Sequence, residues 1–322
     1  MNEEKEIRRY LRRSFRPLGW SLVGYYALMN ILVVGSMAAD AAMMALDAFA
    51  KGRPVLPQQK LMEAVSANAW GYLLTIAVGM VILLAWKGGD FFRFEVFAKS
   101  RRMRFPTFAA LTCIFLGCQV SVSLYATVVE TILNSFGLSA MVALEAATIR
   151  SETVSMFLYA AIGAPIAEEL IFRGFVQRSL MPFGKKFAIF GAALLFGMFH
   201  GNLIQTPYAF VVGLVLGYVT AEYSIWWAIV LHMINNMVLA DLLPRLLSGL
   251  HQMAQDAILG GIIWIFAIAG LVILIVKRRE VKAYITGECM DPRCVRGFFL
   301  NSGFLVLAVL MLISIITMVM PL

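Results

Sequence analysis

The amino-acid sequence predicts an all-α, polytopic membrane bundle, and three observations carry that expectation. Of 322 residues, 61% are hydrophobic and only 14% are charged. The mean hydropathy is +0.82. The charges fall between long apolar runs rather than along them. A soluble core of this composition would leave too little polar surface to cover it. The net charge of +8 would suggest a nucleic-acid partner in a soluble chain. Here the basic residues cluster between apolar runs, where they set topology, so no nucleic acid is expected.

Residues 1–17 carry Lys5, Arg8, Arg9, Arg12, Arg13 and Arg16 ahead of the apolar run Leu18 to Val34. Ser36-Met37-Ala38 resembles a cleavage site, but the run is longer than a signal-peptide core and reads as a retained anchor. Further spans follow at about 66–86, 107–130, 152–181, 187–203, 206–222, 226–243, 256–276 and 298–320, which makes about nine helices. With the N-terminus cytoplasmic, the inner loops hold most of the basic residues, among them Lys99, Arg101, Arg102, Lys185, Lys186, Arg278 and Arg279. The Glu222 to Ile225 turn carries no basic residue, so its side rests on parity alone. The segment 137–150 is amphipathic and is expected on the outer surface. Loops are short and no linker or repeat interrupts the chain. The expectation is one membrane domain over 1–322, with 1–149 and 245–322 as accessory helices around a core at 150–240. Cys113 and Cys118 sit in an apolar span and read as small hydrophobes. Cys289 and Cys294 lie in a loop expected in the cytoplasm, where thiols stay reduced.

The stretch Ala164 to Gly174 places Glu168, Glu169 and Arg173 inside a span. An ionisable group at that depth costs at least a few kcal/mol unless it is paired or faces water, so it is a functional hypothesis by default. Glu169 and Arg173 are four apart and share a helix face, the acid leading, which favours an ion pair. Glu168 lies about 100° around the helix and needs another partner or water. Pro165 removes a backbone donor just before it and is expected to kink the helix. The three charges read either as an interhelical clamp or as an active site.

Two further spans carry polar groups. Phe196 and His200 share a face in one; His232 and Asn236 share a face in the other, with Asn235 able to reach the same side. A lone membrane His or Asn is more often an interhelical hydrogen-bonding residue. Three helices each supplying such groups is a stronger signal. At 1.5 Å per residue, Glu168 lies roughly 15 Å from Arg178, His200 roughly 21 Å from Lys186, and His232 roughly 9 to 15 Å from the preceding turn, so the three can share one layer. Gly213 and Gly217 form a small-xxx-small pair suited to close helix contact. Chemically, Glu168 with His200 can deprotonate a water molecule. His232 and Asn236 can then donate to the oxyanion formed when it attacks an amide, with Glu169 and Arg173 holding the helix.

Glu168-Glu169-x-x-x-Arg173, Phe196-x-x-x-His200 and His232-x-x-x-Asn236, in that order on three spans, resemble the motifs of the CPBP family: CAAX-processing endopeptidases of the Ras-converting type and bacterial Abi proteins. The resemblance covers roughly 150–240. It implies a helical bundle with a water-filled cavity and glutamate-dependent intramembrane proteolysis without a cofactor. Glu168 would match the catalytic glutamate, His200 the water-positioning histidine, and His232 with Asn236 the oxyanion pair. The implied substrate is a membrane-associated peptide or protein, with or without a lipid-modified tail. Short loops and basic inner faces suit a bacterial plasma membrane. Three rivals stand beside this reading: a zinc protease using Glu168, His200 and His232 as ligands, a proton-coupled transporter, and a non-catalytic scaffold or bacteriocin-immunity protein. The oligomeric state is left open.

Overall fold

The computed structural model describes residues 2–141, 153–287 and 290–321. The described residues form a bundle of twelve helices: α1 Asn2–Ala50, α2 Gln58–Ser66, α3 Trp70–Phe91, α4 Phe105–Ser135, α5 Val154–Phe183, α6 Lys185–Phe199, α7 Gln205–Glu222, α8 Ile225–Leu247, α9 Gln252–Val276, α10 Arg278–Thr286, α11 Pro292–Phe299 and α12 Ser302–Thr317. A two-residue antiparallel bridge, β1 Leu138–Ser139 with β2 Met320–Pro321, ties the end of α4 to the C-terminal segment. Most of the 137–150 segment, and Cys289, lie outside the described residues.

Six of these helices are long and apolar enough to cross a membrane: α1, α3 with the turn that follows it, α4, α5, α8 and α9. The expected last span is instead a pair, α11 and α12, bent by 61°. The expected fifth and sixth spans are the shorter α6 and α7. With 15 and 18 residues they are about 22 and 27 Å long, under the roughly 30 Å of a hydrocarbon core. They are shielded by protein rather than by lipid: Ala188, Ala192, Leu195, Leu216 and Val219 are all buried. The first element departs most from expectation. Instead of ending near Val34, α1 runs unbroken for 49 residues, about 74 Å, through Pro17 and well beyond any bilayer. Its outward side chains, Ile31 at 68% exposed and Leu46 at 67%, form an apolar flank of the kind lipid covers.

α6 and α7 lie against each other at the centre, α4 pairs with α9, and α1 pairs with both α3 and α12. The main core passes through Phe172, Phe175, Phe196, Leu216 and Leu231. At one end the basic segments converge. Tyr10 of α1 contacts Phe183, Lys185 pairs with Glu222, and Lys186 donates to the Ile285 carbonyl of α10. The Glu222 to Ile225 turn is tied to this end by backbone hydrogen bonds, Ser100 N to Tyr223 O at 2.9 Å and Arg101 N to Glu222 O at 3.2 Å. Its neighbours thus supply the positive charge that its own sequence lacks.

Candidate active site

α5 is not a uniform helix. Wide π-helical turns over Leu158–Gly163 and Glu169–Gln177 flank a short α segment, Ala164–Glu168. Pro165 opens that segment, where its missing N–H is tolerated, and the wide turn before it absorbs the kink expected there. Single wide turns of this kind recur at functional sites because they re-aim side chains. α8 carries another over Ile234–Leu242, immediately after His232.

Glu169 and Arg173 form the expected pair, Nη1 donating to Oε1 at 2.9 Å, with both side chains fully buried. A guanidinium there needs all the neutralisation it can obtain. Its Nη2 reaches the Gly213 carbonyl at 3.4 Å, and its Cζ lies 4.1 Å from the centre of the Phe196 ring, a cation–π contact. One turn on, Gln177 Nε2 donates to the Gly217 carbonyl at 2.9 Å. The two glycines therefore do more than let α6 and α7 approach. A Cβ on Gly217 would lie 3.0 Å from Gln177 Oε1, and one on Gly213 would lie 3.2 Å from Ala193. Their bare backbones allow α5 side chains to reach α7 carbonyls.

His232 stands between the two acids. Its Nδ1 lies 2.9 Å from Glu169 Oε1, and its Nε2 lies 3.7 Å from Glu168 Oε2. A carboxylate can only accept, so Nδ1 carries the proton toward Glu169. Nε2 is then a donor only when the ring holds both protons. Phe196 locks this arrangement: Arg173 covers one face, and the rings of His200 and His232 meet it edge-on at 4.9 and 5.8 Å. That is the role the motif position of Phe196 takes in the fold.

His200 caps the C-terminus of α6, and Gly201 beyond it takes φ +61°, the left-handed turn that ends the helix at this point. Nδ1 of His200 donates to the Phe196 carbonyl at 2.9 Å, so in the neutral form of the ring Nε2 is the acceptor. Glu168, His232 and Arg173 all lie within its electrostatic reach.

The adjacent asparagines divide. Asn236 faces α5, donating to the Ala160 carbonyl at 3.1 Å, within the first wide turn. Asn235 faces away, accepting from Gln119 at 2.7 Å and Tyr208 at 3.3 Å, and donates to Asn236 at 2.9 Å. One N–H of Asn236 is thus used to hold α5, and a second remains. Gln119 escaped the sequence reading although it carried the same signal as the asparagines, an amide inside an apolar span.

Glu168 is the exception among these groups. Its side chain is 32% exposed. It lines a cavity of about 30 Å³ with Tyr25, Met29 and Val33 of α1, Tyr72, Thr75 and Ile76 of α3, and Tyr159, Ala164 and Ala167 of α5. This is room for a water or two. The expected polar cavity therefore takes the form of a narrow cleft walled by three tyrosines and aliphatic side chains. His200, His232 and Asn236 do not line it. Tyr25 and Tyr159 lie within electrostatic reach of Glu168, and the Tyr72 and Tyr159 rings are 4.8 Å apart. None of the tyrosines was singled out from sequence, because membrane tyrosines are common and nothing in their spacing points at Glu168. Among the described residues, no group of three or more His, Cys, Asp or Glu side chains is arranged to hold a metal ion.

Residues 150–238 match the family model of Rce1-like type II CAAX prenyl endopeptidases. That region is similar to the CAAX prenyl endopeptidases that the family model describes. The match takes in Glu168, Glu169, Arg173, Phe196, His200, His232, Asn235 and Asn236, and stops short of α9 to α12 and of α1 to α4. No curated protein and no solved structure matches the chain. Its apolar helices make the chain an integral membrane protein, and the family match lies within that bundle.

Proposed function

We propose that the chain is an intramembrane endopeptidase of the glutamic type, hydrolysing a peptide bond in a membrane-associated peptide or protein without a metal or other cofactor. One observation carries the reading. Of two adjacent carboxylates, Glu169 is fully buried and held by Arg173 and His232, whereas Glu168 accepts no hydrogen bond from a described residue and faces a cleft. A clamp would hydrogen-bond both acids, whereas His232 Nε2 stays 3.7 Å from Glu168; a base needs a carboxylate in reach of water.

In the proposed reaction Glu168 takes a proton from water as the water oxygen bonds to the amide carbon, and the Nε2 lone pair of His200 accepts the water's second hydrogen bond. The negative charge developing on the carbonyl oxygen is met from α8, by the remaining N–H of Asn236 and by Nε2–H of His232 when that ring is doubly protonated. Collapse breaks the C–N bond, Glu168 returns its proton to the departing amine, and a carboxylic acid and an amine are released. Glu169, Arg173, Phe196 and Asn235 position these groups.

The cleft is lined by α1, α3 and α5, and the outer faces of α1 and α3 are apolar. We infer a substrate segment in extended form with an apolar or lipid-modified tail, and a site in the plasma membrane of a bacterium. The test is cleavage, in liposomes, of a peptide library containing hydrophobic-tailed and prenylated members by wild type and Glu168→Gln, with and without chelator. Cleavage that is lost in a folded Glu168→Gln protein and is indifferent to chelator supports the reading. Cleavage that survives Glu168→Gln overturns it.

A further inference from the structure

A second site, unrelated to peptide hydrolysis, lies at the basic end. The α3–α4 connection from Lys99 to Met103 and the α7–α8 turn enclose a cavity of about 710 Å³, lined by Lys99, Arg101, Arg102, Tyr223, Trp226 and Trp227 among others. This cavity is built rather than left over. Ser100 binds the turn through its backbone N–H to Tyr223 O at 2.9 Å and its hydroxyl to Ala221 O at 3.1 Å. The Trp226 ring is stacked on Phe97 at 5.0 Å and 12°, and Trp227 is held by Phe108 at 5.0 Å.

Three features give its ligand a sign. Lys99 and Arg102 have no ion-pair partner among the described residues, and Arg101 is 74% exposed, with a distant 3.8 Å approach to Glu222. Glu222 itself is buried behind the turn and answered most closely by Lys185 at 2.7 Å, so it leaves Lys99 and Arg102 uncompensated in front. The N-terminus of α8 begins in the lining, with Ser224 making no side-chain cap, so the positive end of its dipole lies at the same space. The tryptophans give the ligand a location. Trp226 is 49% exposed at the end of a span, the depth at which tryptophan rings sit among lipid headgroups.

We propose that this cavity binds a phosphate group, that of an anionic membrane lipid. Its volume exceeds a bare phosphate and suits a headgroup with its glycerol, and the leaflet supplies such groups at the height of the cavity. The site is distinct from the Glu168 cleft. The cleft is lined by α1, α3 and α5, and α8 links the cavity only to His232, which lies seven residues, about 10 Å, after Ile225.

The test uses the full chain in detergent micelles and native mass spectrometry with phosphatidylglycerol, phosphatidylcholine and inorganic phosphate as probes. Wild type should retain phosphatidylglycerol over phosphatidylcholine. Lys99→Gln/Arg101→Gln/Arg102→Gln should weaken that retention by about 100-fold, taking about fivefold per basic residue near a membrane surface. A control with the same charge loss on α10, Arg278→Gln/Arg279→Gln/Lys282→Gln, should retain the lipid as wild type does. Trp226→Ala should loosen the lipid while leaving net charge untouched. Displacement by millimolar inorganic phosphate would assign the site to free phosphate, and resistance to it to the lipid headgroup; either keeps a phosphate site. Equal retention by wild type and the cavity variant, or equal loss in the cavity and α10 variants, overturns the proposal.

Discussion

Glu169 and Glu222 are both buried acids in a chain poor in charge, yet they are held in opposite ways. Glu222 is 7% exposed, and its cationic partners lie at the end of the bundle and reach water: Lys185 at 2.7 Å is 39% exposed and Arg101 at 3.8 Å is 74% exposed, with the Tyr284 hydroxyl at 3.2 Å completing the set. Glu169 sits at mid-span with Arg173 and His232, all between 0 and 8% exposed, and both partners converge on one oxygen. The other, Oε2, is buried without a partner among the described residues. A partner that reaches water can be replaced by water. A partner that does not must stay, so the Glu169 cluster is rigid, and Glu168 stands next to a fixed frame. The difference separates a fastening from a platform for chemistry.

The sharpest way to break the comparison is Glu168→Gln, which keeps shape and removes the base. Peptide cleavage should fall by about 10²- to 10⁴-fold, the range lost with a general base, while thermal unfolding in detergent stays near that of wild type. A loss of folding instead would make Glu168 part of the fastening.

Next in size is Arg173→Met. Removing one member of a buried pair strands the other, at a cost of about 3 to 5 kcal/mol. Pairing it with Glu169→Gln should recover part of that loss, since the stranded charge is gone. Unfolding by denaturant in bicelles reads both. If the double variant is no more stable than the single one, the pair is not the source of rigidity.

These partnerships were unevenly legible in the sequence. Those within one helix were plain: the four-residue spacing of Glu169 with Arg173 and of Phe196 with His200 survives in the structure, even where the turns are wide. Those between helices were not. That Asn236 faces Ala160 and Asn235 faces Gln119 depends on the wide turn after His232, which shifts each following residue around the helix axis. The tyrosine wall around Glu168 comes from α1, α3 and α5, and no local spacing connects them. The bundle class was readable from hydropathy, but the length of α1 was not, because past Val34 its sequence mixes alanine and methionine with Asp40 and Asp47 and no longer looks like a span.

A smaller effect probes the frame from α7. Gly217→Ala would bring a Cβ to 3.0 Å from Gln177 Oε1 and from Ile189 Cγ2. Overpacking of this kind costs about 1 to 3 kcal/mol. Gly260→Ala, where a Cβ meets nothing within 4 Å, is the matched control and should be neutral or slightly stabilising. Equal melting temperatures for the two variants would mean that α5 and α7 are not held as closely as the Gln177 to Gly217 hydrogen bond requires.

The smallest expected effect falls on Glu222→Gln, and it is the one that most sharpens the contrast. The amide keeps an oxygen for Lys185 and Tyr284, and both cations can turn to water, so the loss should stay near the 0 to 1 kcal/mol of solvent-exposed ion pairs. Glu169→Gln makes the same chemical change where neither Arg173 nor His232 can reach water, so it should cost several kcal/mol and alter cleavage through the loosened imidazole. Both variants are compared by unfolding and by cleavage of one peptide at matched concentration. The two acids are equivalent in charge and nearly so in burial, and the exposure of their partners is the main difference. Equal penalties would therefore mean that partner exposure does not set the cost, and the distinction between fastening and platform would fall with it.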